Sequence, residues 1–293
     1  MTEAEKALRG RLIAVLNTGS GGCDETSEAR IQRLFEQAEL AKAETVVVGP
    51  DALDQALTDA VAGADVVIVL GGDGTIRAAA EKCGAAGKLL IPLPGGTMNM
   101  LPHALYGDVG WEIALEKTLA QPCVRDVSGG SANGHPFYCA VVVGAPSLWA
   151  DAREAVREGD FAEAVKRSVT AIRRHAETVG YRLDDESSGR AEAVAVICPL
   201  ISSALEDDER WLEAVALDHA TAVSMFRLAF LAIFSDWRSD PSVTLARVKS
   251  LKISSRSRVP AILDGEKTQL GRSVEITFRP LAFRAIAPQT LRC

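Results

Sequence analysis

Short apolar runs alternate with helix-compatible stretches in the first part of the chain, up to about Pro122. The apolar runs are rich in β-branched residues and have the length of buried strands. Strands that alternate with helices predict a three-layer α/β domain, in which helices cover both faces of a parallel sheet. The predicted strands are Leu12–Leu16, Thr45–Val48, Val66–Leu70 and Leu89–Pro92, and the predicted helices are Glu25–Lys42, Asp51–Ala62 and Thr75–Cys83.

The pattern changes after Pro122, where strand-like runs follow one another without a regular helix between them. This succession predicts an antiparallel β-sandwich, with the polar segment Asp184–Arg190 as a surface loop. We therefore expect a first domain over residues 1–122 and a second over residues 123–293, whose last residues can return to the first domain. The predicted strands are Val124–Val127, Phe137–Val143, Val194–Cys198, Leu212–Leu217, Val248–Ile253, Val259–Leu263, Val274–Phe278 and Phe283–Ile286, and two helical insertions are predicted at Ala150–Thr178 and Ala220–Phe234.

Charge and hydropathy narrow the class of protein. The net charge is −7, with 32 basic and 39 acidic residues, whereas nucleic-acid binders usually carry a basic excess. The longest apolar stretch, Ala220–Phe234, is shorter than the roughly 20 residues of a membrane span. The N-terminal sequence also lacks the features of a signal peptide. We expect a soluble or peripheral protein in the cytoplasm that does not bind nucleic acid.

The strongest chemical signal is a Gly-Gly-Asp-Gly-Thr turn that ends at Thr75 and directly follows a predicted buried strand. Its glycines let backbone N–H groups approach a phosphate, and the helix after the turn adds a favourable dipole. Thr75 is expected to cap that helix or to contact a phosphate oxygen. Because a carboxylate beside phosphates repels them, Asp73 is assigned to Mg²⁺ or to a bound water. The alternative is a plain strand–turn–helix connection.

Two further glycine-rich loops follow predicted strands, Asn17–Gly22 and Pro92–Asn99. All of these loops are expected at the same edge of the parallel sheet, where ligands bind in such folds. Neither loop is a Walker A sequence, and neither is a complete G-x-G-x-x-G fingerprint. Each is weak alone, but together they predict a nucleotide site.

A late Asp264-Gly265-Glu266 sequence follows a predicted strand. Phosphoryl transfer to an alcohol needs an acceptor for the hydroxyl proton, and these carboxylates can supply one. The same sequence can equally be a β-hairpin turn, because Asp-Gly is the strongest short hairpin signal. From the residues alone, both interpretations stay open.

The four motifs NTGSGG, GGDGT, PGGTMN and DGE resemble, in order and spacing, the diacylglycerol kinase/sphingosine kinase family of lipid kinases, bacterial type. The resemblance implies ATP and Mg²⁺ as cofactors and a lipid-binding β-sandwich. It also implies Glu266 as proton acceptor, Asp264 near it and Asp73 as a third catalytic residue and a metal ligand. The residues that it places against ATP are Asn17, Thr18, Gly19, Ser20, Gly21, Gly71, Gly72, Asp73, Gly74, Thr75, Ile76, Arg77, Gly95, Gly96, Thr97 and Asn99.

The chain departs from the family pattern in the third motif. Met100 stands where the family usually has Asp, and His103 stands where it has Arg. The substitution leaves the lipid open, with diacylglycerol, ceramide and a sphingoid base as alternatives. Bacterial members often hold a structural Mg²⁺ in the sandwich, which makes Asp208 or Glu209 a candidate ligand, although a solvated acidic turn explains them equally well.

Two other functions are alternatives to a lipid kinase. An NAD kinase also carries GGDGT, but it would need an Asn-Glu motif downstream, which the sequence lacks. A non-catalytic nucleotide- or lipid-binding regulator is the second alternative, since Met100 removes a carboxylate. The expected partners are a membrane lipid, through peripheral contact at the inner face of the membrane, and a second copy of the chain in a homodimer.

Overall fold

A computed structural model describes residues 1–40, 42–144, 178–184, 187–205, 209–217 and 243–289. The chain divides into two compact units. Unit 1 comprises Met1–Gly129 and Arg279–Cys293, and unit 2 comprises Gly130–Phe278. The predicted change of pattern at Pro122 coincides with the start of a strand that reaches Ala132 and contains the division at Gly129.

Unit 1 is built on a parallel sheet. Its strands are, in order, β2 (Ala43–Val48), β1 (Leu12–Asn17), β3 (Val66–Gly71), β4 (Leu89–Pro94) and the C-terminal part of β16 (Ser273–Pro288). Every residue of β1, β3 and β4 is buried, because helices cover the sheet and these strands are apolar throughout. The predicted parallel α/β layer is therefore confirmed. The elements are α1 (Glu3–Leu8), β1 (Leu12–Asn17), α2 (Ser27–Gln37), β2 (Ala43–Val48), α3 (Leu53–Gly63), β3 (Val66–Gly71), α4 (Asp73–Ala86), β4 (Leu89–Pro94), α5 (Met100–Tyr106) and α6 (Trp111–Ala120).

Unit 2 contains two antiparallel sheets. One has six strands in the order β12-β11-β10-β7-β14-β15, and the other runs β16-β13-β8-β9 with the N-terminal part of β16. Apolar side chains from both sheets share one core, so the predicted antiparallel sandwich is confirmed. The strands are β5 (Pro122–Ala132), β6 (His135–Phe137), β7 (Ala140–Gly144), β8 (Val179–Leu183), β9 (Ser187–Ala191), β10 (Ala193–Ile197), β11 (Leu212–Leu217), β12 (Val243–Val248), β13 (Ser250–Ser254), β14 (Val259–Leu263), β15 (Glu266–Leu270) and β16 (Ser273–Pro288).

Several predicted elements differ from the structure. The loop predicted at Asp184–Arg190 is wrong at its end, because strand β9 pairs with β8 from Ser187 onward. The single strand predicted at Val248–Ile253 is divided between β12 and β13, and the two strands predicted near the C-terminus are one, β16. The predicted helical insertions fall outside the described residues, except for Thr178 at the end of the first.

Candidate nucleotide site and acidic turn

Helix α4 begins with unused hydrogen-bond donors. Its N-cap is Gly72, which has no side chain to cap the helix, and the helix starts two residues before the predicted Thr75. Within the described ranges, the N–H groups of Asp73, Gly74 and Thr75 have no hydrogen-bond acceptor. Three free amides at the positive end of a helix dipole form a ready site for an anion.

The loop after β1 is fastened to this turn by two side chains. Asn17 donates from Nδ2 to Thr75 Oγ1 at 2.9 Å, and its Oδ1 accepts from Gly19 N at 2.9 Å. Ser20 Oγ accepts from Gly72 N at 3.0 Å. Asn17, Ser20 and Thr75 are all nearly buried. Thr75 therefore serves the loop contact rather than capping α4, which corrects the capping expectation.

The loop after β4 packs against the same turn at backbone distance. Gly95 N donates to Gly71 O at 2.9 Å. A Cβ atom on Gly96 would lie 2.7 Å from Gly72 Cα, so only glycine permits this approach. Asn99 closes the loop, since its Oδ1 accepts from Gly96 N at 2.7 Å and its Nδ2 donates to Gly96 O at 2.9 Å.

Asp73 joins the second and third loops through its carboxylate. Oδ2 accepts from Asn99 N at 3.1 Å, and Oδ1 accepts from Met100 N at 2.8 Å. These donors are orphan amides at the start of α5, so Asp73 caps that helix from a distance. Nothing in the sequence indicates this bond, because Asp73 and Met100 lie 27 positions apart. The bond to position 100 uses the backbone and does not depend on a carboxylate there.

The other predicted site residues differ in their solvent exposure and in whether they already have a hydrogen-bond partner. Thr97 is exposed, and its hydroxyl has no partner among the residues that the structure describes, whereas Thr18 Oγ1 donates to Val48 O at 3.2 Å. Arg77, one turn into α4, has a buried Nε without a hydrogen-bond partner in the described part of the chain. Ile76 is 1% exposed and its N–H donates to Gly72 O, so it contributes to the core. The amide of Gly21 also has no acceptor in the part of the chain that the structure describes.

In unit 2, the Asp264-Gly265 pair forms the two-residue turn between β14 and β15. Both residues have positive φ, 46° and 86°, as a type I′ hairpin requires. Asp264 is 5% exposed. Its carboxylate accepts three backbone hydrogen bonds at 2.8–2.9 Å, from the N–H groups of Tyr138, Cys139 and Ala140. The hairpin interpretation therefore holds for the backbone of this motif.

Glu266 begins strand β15, opposite Leu263, and is partly exposed. Unlike that of Asp264, its carboxylate has no hydrogen bond or ion pair among the described residues. The motif thus contains two different carboxylates. That of Asp264 is hydrogen-bonded to the backbone, and that of Glu266 has no partner within the described ranges.

The candidate metal ligands are not brought into a cluster. Asp208 falls outside the described residues, and Glu209 lies in a turn before β11. Over the described ranges, no group of three or more His, Cys, Asp or Glu side chains could hold a metal ion. The assignment of Asp208 and Glu209 remains a prediction. Among the helices described, none is both long and apolar enough to span a membrane.

Comparison with known proteins gives the same family. Residues 11–131 match the family model described as the diacylglycerol kinase catalytic domain. This match confirms the resemblance inferred from the motifs.

Three solved structures, all from Bacillus anthracis str. Sterne, share the fold. One, a candidate diacylglycerol kinase, is 20% identical, with a TM-score of 0.72, and the alignment covers 95% of this chain and 98% of that one. A second, described as a diacylglycerol kinase, is 16% identical, with a TM-score of 0.69, and the coverage is 94% and 96%. A third, also a candidate diacylglycerol kinase, is 19% identical, with a TM-score of 0.72 and coverage of 94% and 97%.

Proposed function

We propose that this chain, whose residues 11–131 match the diacylglycerol kinase catalytic domain, is an ATP-dependent kinase that phosphorylates a hydroxyl of a membrane lipid. The observation that carries the proposal is the set of free amides at the start of α4, against which two other glycine-rich loops pack. A triphosphate matches this arrangement in charge and in its need for donors.

The residues of unit 1 divide into ligands and supports. The amides of Asp73, Gly74 and Thr75 bind phosphate oxygens, and Arg77 supplies a cation whose buried Nε has no partner in the described residues. Side chains that are already bonded hold the loops instead. These supports are Asn17, Ser20 and Asn99.

Mg²⁺ fits this site as an ion held mainly by the nucleotide. Each Asp73 oxygen accepts one amide bond and keeps a lone pair, which allows one carboxylate contact to a cation. Mg²⁺ in kinases commonly uses one or two carboxylates together with substrate phosphates. When bound, the ion offsets the negative charge of the phosphates.

We assign the proton acceptor to Glu266. The Asp264 carboxylate is buried and accepts three amide bonds, which occupy most of its acceptor positions. Asp264 therefore positions the turn, and Glu266, which is open, takes the proton of the lipid hydroxyl. The lipid is diacylglycerol-like, or a ceramide or sphingoid base. The enzyme acts in the cytoplasm at the inner face of the membrane.

The test is phosphoryl transfer from γ-labelled ATP to mixed micelles that contain diacylglycerol, ceramide and sphingosine, with NAD in a parallel reaction. Labelled lipid supports the proposal and names the substrate. Labelled NAD would favour the NAD kinase alternative, and no product with bound ATP would favour the regulator.

The Glu266→Gln variant tests the proton acceptor. It should lower kcat by about 10²–10⁴-fold and leave the KM for ATP nearly unchanged. Glu275→Gln is the matched control, because Glu275 is an exposed glutamate of the same unit that forms a surface ion pair with Lys252. Wild-type turnover in Glu266→Gln would remove Glu266 from this role.

A further inference from the structure

Strand β2 is the edge of the parallel sheet. Among the described strands it pairs only with β1. The carbonyls of Lys42 and Val48 accept from Leu12 N and Thr18 N, so the even-numbered positions direct their backbone groups toward β1. Because this direction alternates along a strand, Thr45 and Val47 direct their N–H and C=O groups away from the sheet.

Two neighbouring side chains of this edge strand are both apolar and exposed. Val46 is 37% exposed and Val47 is 42% exposed, and they lie on opposite faces of the strand. Free edges are usually protected by proline, lysine or a bulge. The segment Ala43–Val48 has none of these protections, and the charge of Glu44 is engaged by Arg11 at 3.2 Å.

We propose that β2 pairs antiparallel with β2 of a second copy, about a two-fold axis at Val46. In this register Thr45 lies opposite Val47 of the other copy, and their outward N–H and C=O groups exchange hydrogen bonds in two symmetric pairs. Val46 faces its own counterpart in a non-hydrogen-bonded pair, where side chains come closest. The proposal does not depend on the kinase reaction.

The charges around the strand favour the same partner. Lys42 precedes β2 and Asp51 follows it, and both are exposed without an ion-pair partner in the described residues. Antiparallel pairing brings Lys42 of each copy near Asp51 of the other, while Glu44 faces Val48. A six-residue strand covers less than the roughly 1,200 Å² of a standard interface, so we expect a reversible dimer.

Sedimentation velocity over a range of protein concentrations tests the association. The wild type should shift from monomer to dimer, and Val47→Lys should weaken the association at least tenfold by placing like charges at the edge. Ile113→Lys is the matched control, since Ile113 is 47% exposed on α6 and should leave the association unchanged. A wild type that stays monomeric, or a Val47→Lys variant that associates normally, overturns the proposal.

A crosslink tests the register. Val46→Cys should form an intermolecular disulfide under mild oxidation, because residues in a non-hydrogen-bonded pair lie about 4.5 Å apart at Cα. Glu44→Cys should not, because its own counterpart lies about four residues along the strand, roughly 13 Å away. Equal crosslinking of both variants, beyond that of the wild type, would show that the chains meet in another way.

Discussion

Replacing Gly96 by alanine should separate the second and third loops. The new Cβ would lie 2.7 Å from Gly72 Cα and needs about 0.7 Å more to reach the 3.4 Å of ordinary contact. The obstacle is backbone on both sides, so no side chain can rotate away. We expect a destabilisation of about 1–3 kcal/mol, the usual cost of overpacking.

The functional effect should be larger than the effect on folding. A displacement approaching 1 Å at a reacting group can lower turnover by about 10²-fold. Urea unfolding would give the change in free energy, and labelled-ATP assays would give kcat and KM. Gly110→Ala is the control, since a Cβ on Gly110 meets nothing within 4 Å and its φ of −66° suits alanine. Wild-type stability and turnover in Gly96→Ala would refute the close approach of these loops.

Four further changes test the remaining contacts. Asp73→Ala should destabilise the protein by about 2–4 kcal/mol, because two backbone amides lose a charged acceptor, and urea unfolding should show Asp73→Asn to be milder. Arg77→Met should raise the KM for ATP about tenfold or more without lowering the free energy of unfolding, because it removes an unpartnered buried Nε. Asp264→Ala should cost about 3 kcal/mol or more in chemical denaturation, because three amides are left buried. Burial raises the pKa of the Cys83 thiol to about 12, so alkylation followed by mass spectrometry should modify it only on unfolding, and its contribution to stability should fall as the pH rises from about 9 to 12.

The parallel strands could be predicted because their apolar character is continuous. Val66–Gly71 is buried at every position, and a short run without polar interruptions is typical of a strand covered on both faces. The proximity of the three glycine-rich loops could also be predicted, because the carboxyl ends of parallel strands lie at the same edge of the sheet. Physical contact then confirmed it between Gly95 and Gly71.

Contacts between distant positions could not be predicted. Asn99 adopts a φ of 49°, and α5 is only seven residues long, so neither local propensity nor periodicity indicates a helix there. Its capping by Asp73 exists only after two neighbouring strands have paired. Strand β16 was predicted as two strands because Arg279-Pro280 interrupts the apolar pattern, whereas in the structure the strand continues through them.

The boundary between β12 and β13 could not be predicted for a different reason. Val248 ends one strand and Ser250 begins the next, with no glycine or proline between them. Turn residues are the signal by which sequence patterns divide strands, and here that signal is missing. The position of the division is fixed by pairing with different neighbours, β11 and β16.

Unit 1 is completed by the C-terminal part of β16, which follows unit 2 in the chain, and this order affects how unit 1 folds during synthesis. Arg284 and Ala285 pair with β4, and Gly84 of α4 lies against the carbonyl of Ala282. During translation, the strand that pairs with this edge of β4 is therefore made only after Gly130–Phe278 has been synthesised. Until Phe283 and Ile286 are added and buried, the nascent chain exposes an apolar strand edge, which is the kind of surface that aggregates.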